Sequence, residues 1–205
     1  MATTKKATKQ PKTALVLRCC APDMSSQDGF IWPGVGAEAV APDWSAVAAC
    51  GKGLHGWLYG QGDHGCSDYH EQPGAKWLVV EVENSTVVML GGKVKFPRGT
   101  VRFVGTKHEA AAYLIAHEPR AATVAVIGAH LECGDEQSVM VGALGTATAG
   151  YSGTATAGDS GELRIRWYDD KADRYRLSVA YVGEDGIEPN VAYRLDEEHK
   201  FVRAA

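Results

Sequence analysis

Between Cys50 and His70 the chain reads CGKGLHGWLYGQGDHGCSDYH, and this stretch gathers the side chains best able to bind a metal or work on a ligand. Cys50, His55, His64, Cys66 and His70 place two of the five cysteines and three of the seven histidines within 21 residues. Thiolate and imidazole suit zinc in a tetrahedral shell, and the intervening glycines let such side chains converge. The spacing, C-x4-H and then H-x-C-x3-H, matches no standard finger or ribbon, so the competing reading is a polar loop in which His55 bonds to backbone. The same stretch offers a second chemistry. His55, Trp57, Tyr59 and Tyr69 are the candidate ligand-binding residues, with His55 orienting a ribose and Tyr59 or Tyr69 stacking on a base. No GxxxxGK phosphate loop, GxSxG elbow, HExxH helix or strand-linked GxGxxG is present, which lowers the odds of a common hydrolase or nucleotide-dependent enzyme.

The elements that must hold this stretch are mostly strands. Thr13 to Cys19 (TALVLRC) reads as a first strand, and Phe30, Trp32 and Trp44 as aromatics anchoring a Gly- and Pro-rich loop to the core. Asp43 is placed to cap a short helix from Ser45 to Cys50, ended by Gly51 and Gly53. Trp77 to Glu83, Thr86 to Leu90, Lys93 to Phe96 and Thr100 to Gly105 are short, β-branched and separated by turn residues, the pattern of an antiparallel sheet. Glu81 and Glu83 are expected to meet Lys93 and Lys95 as cross-strand ion pairs on a wet face. Thr106 with Glu109 forms a capping box for a helix that Pro119 ends. On that helix His108 and His117 stand about 180° apart, which argues against a shared metal.

From Ala129 to Tyr168 the sequence repeats every eight residues, most clearly in GTATAGYS and GTATAGDS (Gly145 to Ser160). The third and fifth places are apolar throughout: Leu131 and Cys133, Val139 and Val141, Ala147 and Ala149, Ala155 and Ala157, Leu163 and Ile165. Alternation of this kind gives a strand one inward face, and a short fixed period signals stacked units that cannot bury that face alone. Glycine at the sixth place is expected to permit the corners. Tyr151 and Asp159 fill the same place in successive octads, so the true repeat can be sixteen residues, one coil of a flattened β-solenoid. The run Ala149 to Ser160 resembles the repeat of bacterial ice-nucleation proteins. That resemblance implies threonine ladders, here Thr146, Thr148, Thr154 and Thr156. Two clear octads are a short array for ordering water, so the expected role is a spacer or a self-associating edge. Ala147, Ala149, Thr154, Ala155, Thr156 and Ala157 are the candidate oligomer interface, because short stacks leave open strand edges.

The expected fold class is α+β or mainly β: a small N-terminal antiparallel sheet with one or two helices, then a short β-solenoid capped by C-terminal hairpins. The boundaries are a basic disordered tail over 1–12, an α+β domain over 13–122 and a solenoid with its β cap over 123–205. A net charge of −4 gives no reason to expect a nucleic-acid partner. No run approaches the ~20 apolar residues of a membrane helix and no secretory signal is visible, so a cytoplasmic protein without a membrane partner is expected. An odd cysteine count without CxxC argues against a disulfide framework.

As a whole the chain resembles phage- and prophage-encoded proteins, through Cys50, Gly53, Leu54 and His55, the octads, and Tyr181 to Gly186. This resemblance implies an accessory factor acting on host defence. The expected function is therefore non-enzymatic binding of a host protein or sequestration of a small ligand by a self-associating homo-oligomer, in the host bacterial cytosol. Two alternatives stand beside it: an enzyme acting on a nucleotide or NAD-like substrate around Gly53 to Trp57, and a structural virion-associated protein.

Overall fold

A computed structural model describes residues 11–204 of the chain. The first ten positions of the expected basic tail lie outside the described residues. The next two are anchored: Asn84 donates its side-chain amide to the Pro11 carbonyl and its backbone N–H to that of Lys12.

The protein is mainly β, with one α-helix among the described residues. Seven strands form an antiparallel sheet: β1 (Thr13–Cys20), β2 (Glu38–Val40), β3 (Leu54–Leu58), β4 (Lys76–Glu83), β5 (Val88–Met89), β6 (Val94–Phe96) and β7 (Arg98–Gly105), in the order β2-β7-β4-β1-β3-β6-β5. β1 and β4 form its centre, in register from Thr13 opposite Glu83 to Cys20 opposite Lys76. Because side chains alternate along a strand, the sheet feeds two apolar layers. Val16, Leu78, Val80 and Phe96 pack with Trp32 on one face, while Leu15, Leu17, Val79 and Trp77 meet Ala110, Ala111 and Leu114 of α1 (Lys107–His117) on the other. The capping box is formed as the sequence predicts: the Thr106 hydroxyl accepts from the Glu109 N–H, and the Glu109 carboxylate accepts from the Thr106 N–H.

Three local expectations fail for physical reasons. Ser45 to Cys50 forms no helix, since six residues beside two glycines cannot repay nucleation, and Asp43 instead accepts from the Gly53 N–H at 3.0 Å. The expected strand over Thr86 to Leu90 shrinks to Val88–Met89, with Thr86 in a 3-10 turn. The predicted Glu–Lys ladder is also absent among the described residues. Glu81 pairs with Arg102 of the neighbouring β7, and Lys95 is 1% exposed, donating to the carbonyl of Ala49 at 2.9 Å beneath the ring of Trp44.

Beyond α1 the octads alternate between two four-stranded sheets. β8 (His130–Glu132), β10 (Thr146–Ala149) and β12 (Glu162–Asp169) run parallel, Thr146 standing opposite both His130 and Glu162, an offset of sixteen residues each way. β9 (Ser138–Met140) and β11 (Thr154–Thr156) repeat that offset in the second sheet, with Thr154 opposite Ser138. The sheets end in antiparallel partners: β13 (Arg174–Tyr181) closes the first along β12, while β14 (Ala192–Leu195) and β15 (Phe201–Arg203) close the second. Both hairpins were legible from their alternating aromatic strands.

The corners differ from expectation. Left-handed backbone falls at the eighth place of the first four octads, in Glu136, Leu144, Ser152 and Ser160, and not at the sixth-place glycines. Three of those glycines, Gly142, Gly150 and Gly158, serve close approach instead. A Cβ on Gly158 would meet the backbone nitrogen of Ala143 at 2.5 Å, and one on Gly142 that of Ile127 at 2.8 Å. One continuous apolar core links Leu17 and Leu114 through Val126 and Ile127 to Ala147, Ala155, Leu163 and Tyr193.

Candidate functional site

The cysteine and histidine stretch is divided among several elements. Cys50 lies exposed on the loop before β3, and His55 lies within β3 opposite Lys95. A 3-10 turn, His64 to Cys66, is capped by Asp63, whose carboxylate also accepts from the Cys66 thiol at 3.5 Å. The rings of His64 and His70 meet edge-on at 4.6 Å, and the Nδ1 of His70 is 2.6 Å from the Ser67 carbonyl. Among the described residues no group of three or more His, Cys, Asp or Glu is arranged to hold a metal ion, so the five predicted ligands are not brought to one centre.

The predicted ligand-binding residues are also separated. Trp57 is a core residue, stacked on Trp77 at 5.7 Å and donating its indole N–H to the Asp63 carbonyl. Tyr59 sits under the guanidinium of Arg120, and Tyr69 packs on the apolar layer below β1. His55 alone of the four lines the cleft of about 540 Å³ above β1 and β3. Burial, followed by the nearby charges of Lys93, Arg18 and Lys95, lowers its pKa to about 4. Arg18 and Trp32 share that cleft; the sequence read Trp32 only as a loop anchor and did not single out Arg18. The available signal was a single charge, Arg18, inside the apolar strand TALVLRCC.

In the octads the alternation is realised as read. Ala147, Ala149, Ala155 and Ala157 are 0–1% exposed, whereas Thr146, Thr148, Thr154 and Thr156 turn outward and are half-buried among their neighbours. The four alanines of the predicted oligomer interface thus fill the interior between the two sheets, where no second chain reaches them in the folded state. Each outward threonine pair is a single rung. In register beside Thr146 and Thr148 stand His130 and Glu132 on one side and Glu162 and Arg164 on the other. Thr154 and Thr156 are flanked by Ser138 and Met140. The most exposed apolar surface of this half is on the edge strand β13, where Tyr175, Leu177, Val179 and Tyr181 share one face.

Residues 14–116, from β1 through nearly all of α1, match the family described as Domain of unknown function (DUF7666). The chain belongs to the DUF7666 family. Its curated relatives carry another name. An ice nucleation protein of Xanthomonas campestris pv. translucens is 36% identical over 107 residues, 51% of this chain and 7% of the relative. Ice nucleation protein InaU of Pantoea ananas is 33% identical over 105 residues, 50% of this chain and 10% of the relative. An ice nucleation protein of Pseudomonas syringae is 36% identical over 107 residues, 51% of this chain and 9% of the relative. The chain therefore spans a tenth or less of the length of these relatives. No solved structure matches the chain.

These matches overturn the phage counter-defence function expected from the sequence, because the similar proteins are ice nucleation proteins and not host-defence binders. The cytoplasmic placement, tied to that reading, falls with it. No helix among the described residues is long and apolar enough to cross a membrane. The resemblance of the octads to ice-nucleation repeats agrees with the matches.

Proposed function

We propose that Ala129 to Asp169 forms two coils of an ice-nucleation-type β-solenoid, started by the DUF7666 sheet with α1 and stopped by the two terminal hairpins. Its proposed activity is the ordering of water, and through it adsorption to ice, at the outward pairs Thr146 with Thr148 and Thr154 with Thr156. The observation that carries this reading is the sixteen-residue parallel register, with alanine inward and threonine outward in both sheets. Successive outward residues of a strand stand roughly 6.8 Å apart and neighbouring strands roughly 4.8 Å apart, so stacked pairs make a regular grid of hydroxyls and methyls. With one threonine rung per face, bounded by rows that carry no threonine, the grid is small. Adsorption to existing ice is accordingly the expected activity of the monomer, and nucleation at mild supercooling requires copies to be joined.

Joining is proposed to run through β13, whose apolar row and unpaired edge fit a second copy of the same strand. The test of the water-ordering reading is partition into a slowly growing ice front. The wild type should enrich in ice, and replacing Thr148 and Thr156 by Lys should abolish enrichment while leaving the melting temperature within a few degrees. Wild-type protein excluded from ice to the same extent as an unrelated control of similar size refutes it.

A further inference from the structure

Above β1 and β3 lies a cleft of about 540 Å³ that neither the octads nor the water-ordering reading uses. Arg18, Phe30, Trp32, Lys52, Gly53 and His55 are among the residues lining it. Three of them carry a buried side-chain nitrogen with no hydrogen-bond partner among the described residues: Nε of Arg18, Nε1 of Trp32 and Nε2 of His55. Buried polar atoms are ordinarily satisfied, so three in one cleft mark a place where something else supplies the partners.

The identity of the groups says what that partner is. Arg18 Nε and Trp32 Nε1 are N–H donors with no acceptor role. None of the ion pairs among the described residues involves Arg18. Arg18 is half-buried with its Nε enclosed, and withdrawing a guanidinium even partly from water without an anion is costly, yet this one stands within an apolar strand. Neither carboxylate that lines the cleft pairs with it: Asp43 accepts from the Gly53 N–H, and Asp28 is exposed. Lys93 and Lys95, close enough to His55 to act on its charge, add to the positive field. The walls are aromatic. Phe30 meets Trp32 edge-on at 5.5 Å, and the Arg18 guanidinium lies 5.7 Å from the centre of the Trp32 ring.

We infer that this cleft binds a small planar organic anion, its carboxylate or phosphate accepting from Arg18 and Trp32 while its flat body lies against the Phe30 and Trp32 wall. Guanidinium is the group that best matches either oxyanion, because its fork can donate two parallel hydrogen bonds. His55, neutral near pH 7, offers its Nε2 to a hydroxyl of the ligand.

The test is calorimetric titration of the whole protein with benzoate, phenyl phosphate and inorganic phosphate, on the wild type, Arg18→Met and Trp32→Phe. The wild type should bind benzoate or phenyl phosphate, the tighter of the two identifying the oxyanion, and both more tightly than inorganic phosphate. Arg18→Met should weaken binding by roughly tenfold to a hundredfold, the loss of a charge-assisted hydrogen bond. The same variant should melt at a higher temperature than the wild type without ligand, because a half-buried charge without an ion-pair partner is gone. Trp32→Phe keeps the wall and removes one donor, so binding should weaken by about twofold to tenfold even if the Arg18 variant fails to fold. No heat of binding from either organic anion, equal affinity for inorganic phosphate, or unchanged affinity in both variants overturns the inference.

Discussion

Two glycines in the same place of the octad should respond oppositely to the same substitution. Gly158 is buried against Gly142 and Ala143, and a Cβ there would lie 2.5 Å from the Ala143 nitrogen, 2.8 Å from the Gly142 carbonyl carbon and 3.0 Å from the Ala143 Cα. These atoms are backbone and cannot swing aside, so Gly158→Ala must push the two segments apart and lengthen the ladder bonds around them. Overpacking of this kind costs about 1–3 kcal/mol, and the rigid neighbours place it in the upper half. Gly134 lies in the first octad, and an added Cβ finds, among the described residues, only the side chain of Gln137 at 3.7–3.8 Å. Neither glycine needs left-handed backbone. Gly134→Ala should therefore be neutral or stabilise by about 0.4–1 kcal/mol, through the unfolded chain. In thermal melts of a chain this long, roughly 2–4 °C per kcal/mol puts Gly158→Ala about 4–12 °C below the wild type, with Gly134→Ala at or above it. Equal shifts for the two variants would refute the argument that Gly142, Gly150 and Gly158 are there for close approach to neighbouring backbone.

Stability should also fall as pH falls through the window set by His55. Its pKa of about 4 in the folded chain, against 6.5 ordinarily, means the unfolded state binds more protons between those values, so the folded state loses ground from about pH 6.5 downward. His55→Asn should flatten that part of a melting-temperature profile; a profile unchanged by the substitution shows that His55 titrates normally. For self-association, Leu177→Lys with Val179→Lys should shift the sedimentation of the protein from dimer to monomer. A wild type that stays monomeric at every concentration removes the β13 contact.

Much of the architecture could be read from the chain because its local and global signals agree. The third and fifth places of each octad are apolar and the flanking threonines are not, so a period of two specifies which face turns inward. Thr106 and Glu109 announce the helix start by satisfying backbone donors that any helix leaves open. The failures come where the deciding contact is remote in sequence. Lys95 looks like a surface charge until the carbonyls of Ala49 and Gly51 arrive over it, 46 and 44 residues away. The five Cys and His residues look like a ligand set because they are close in sequence, yet β3 and the Asp63-capped turn separate them. Likewise, sixth-place glycines suggest corners when taken alone, and only the backbone of an octad sixteen residues earlier reveals that Gly150 and Gly158 are there for want of a side chain.

The spacing that sets Thr146 opposite both His130 and Glu162 repeats the same pairing every sixteen residues along the parallel strands. On the proposed solenoid, a further sixteen-residue unit spliced between Ser152 and Gly153 would meet, at each of its faces, partners of the kind the octads already have. The sheet at one end and the hairpins at the other would keep their own seams. Length in this molecule is thus uncoupled from how its ends are sealed, so in-frame duplication could draw the hydroxyl grid out to any extent, and recombination between copies could pare it back, with no new interface having to evolve.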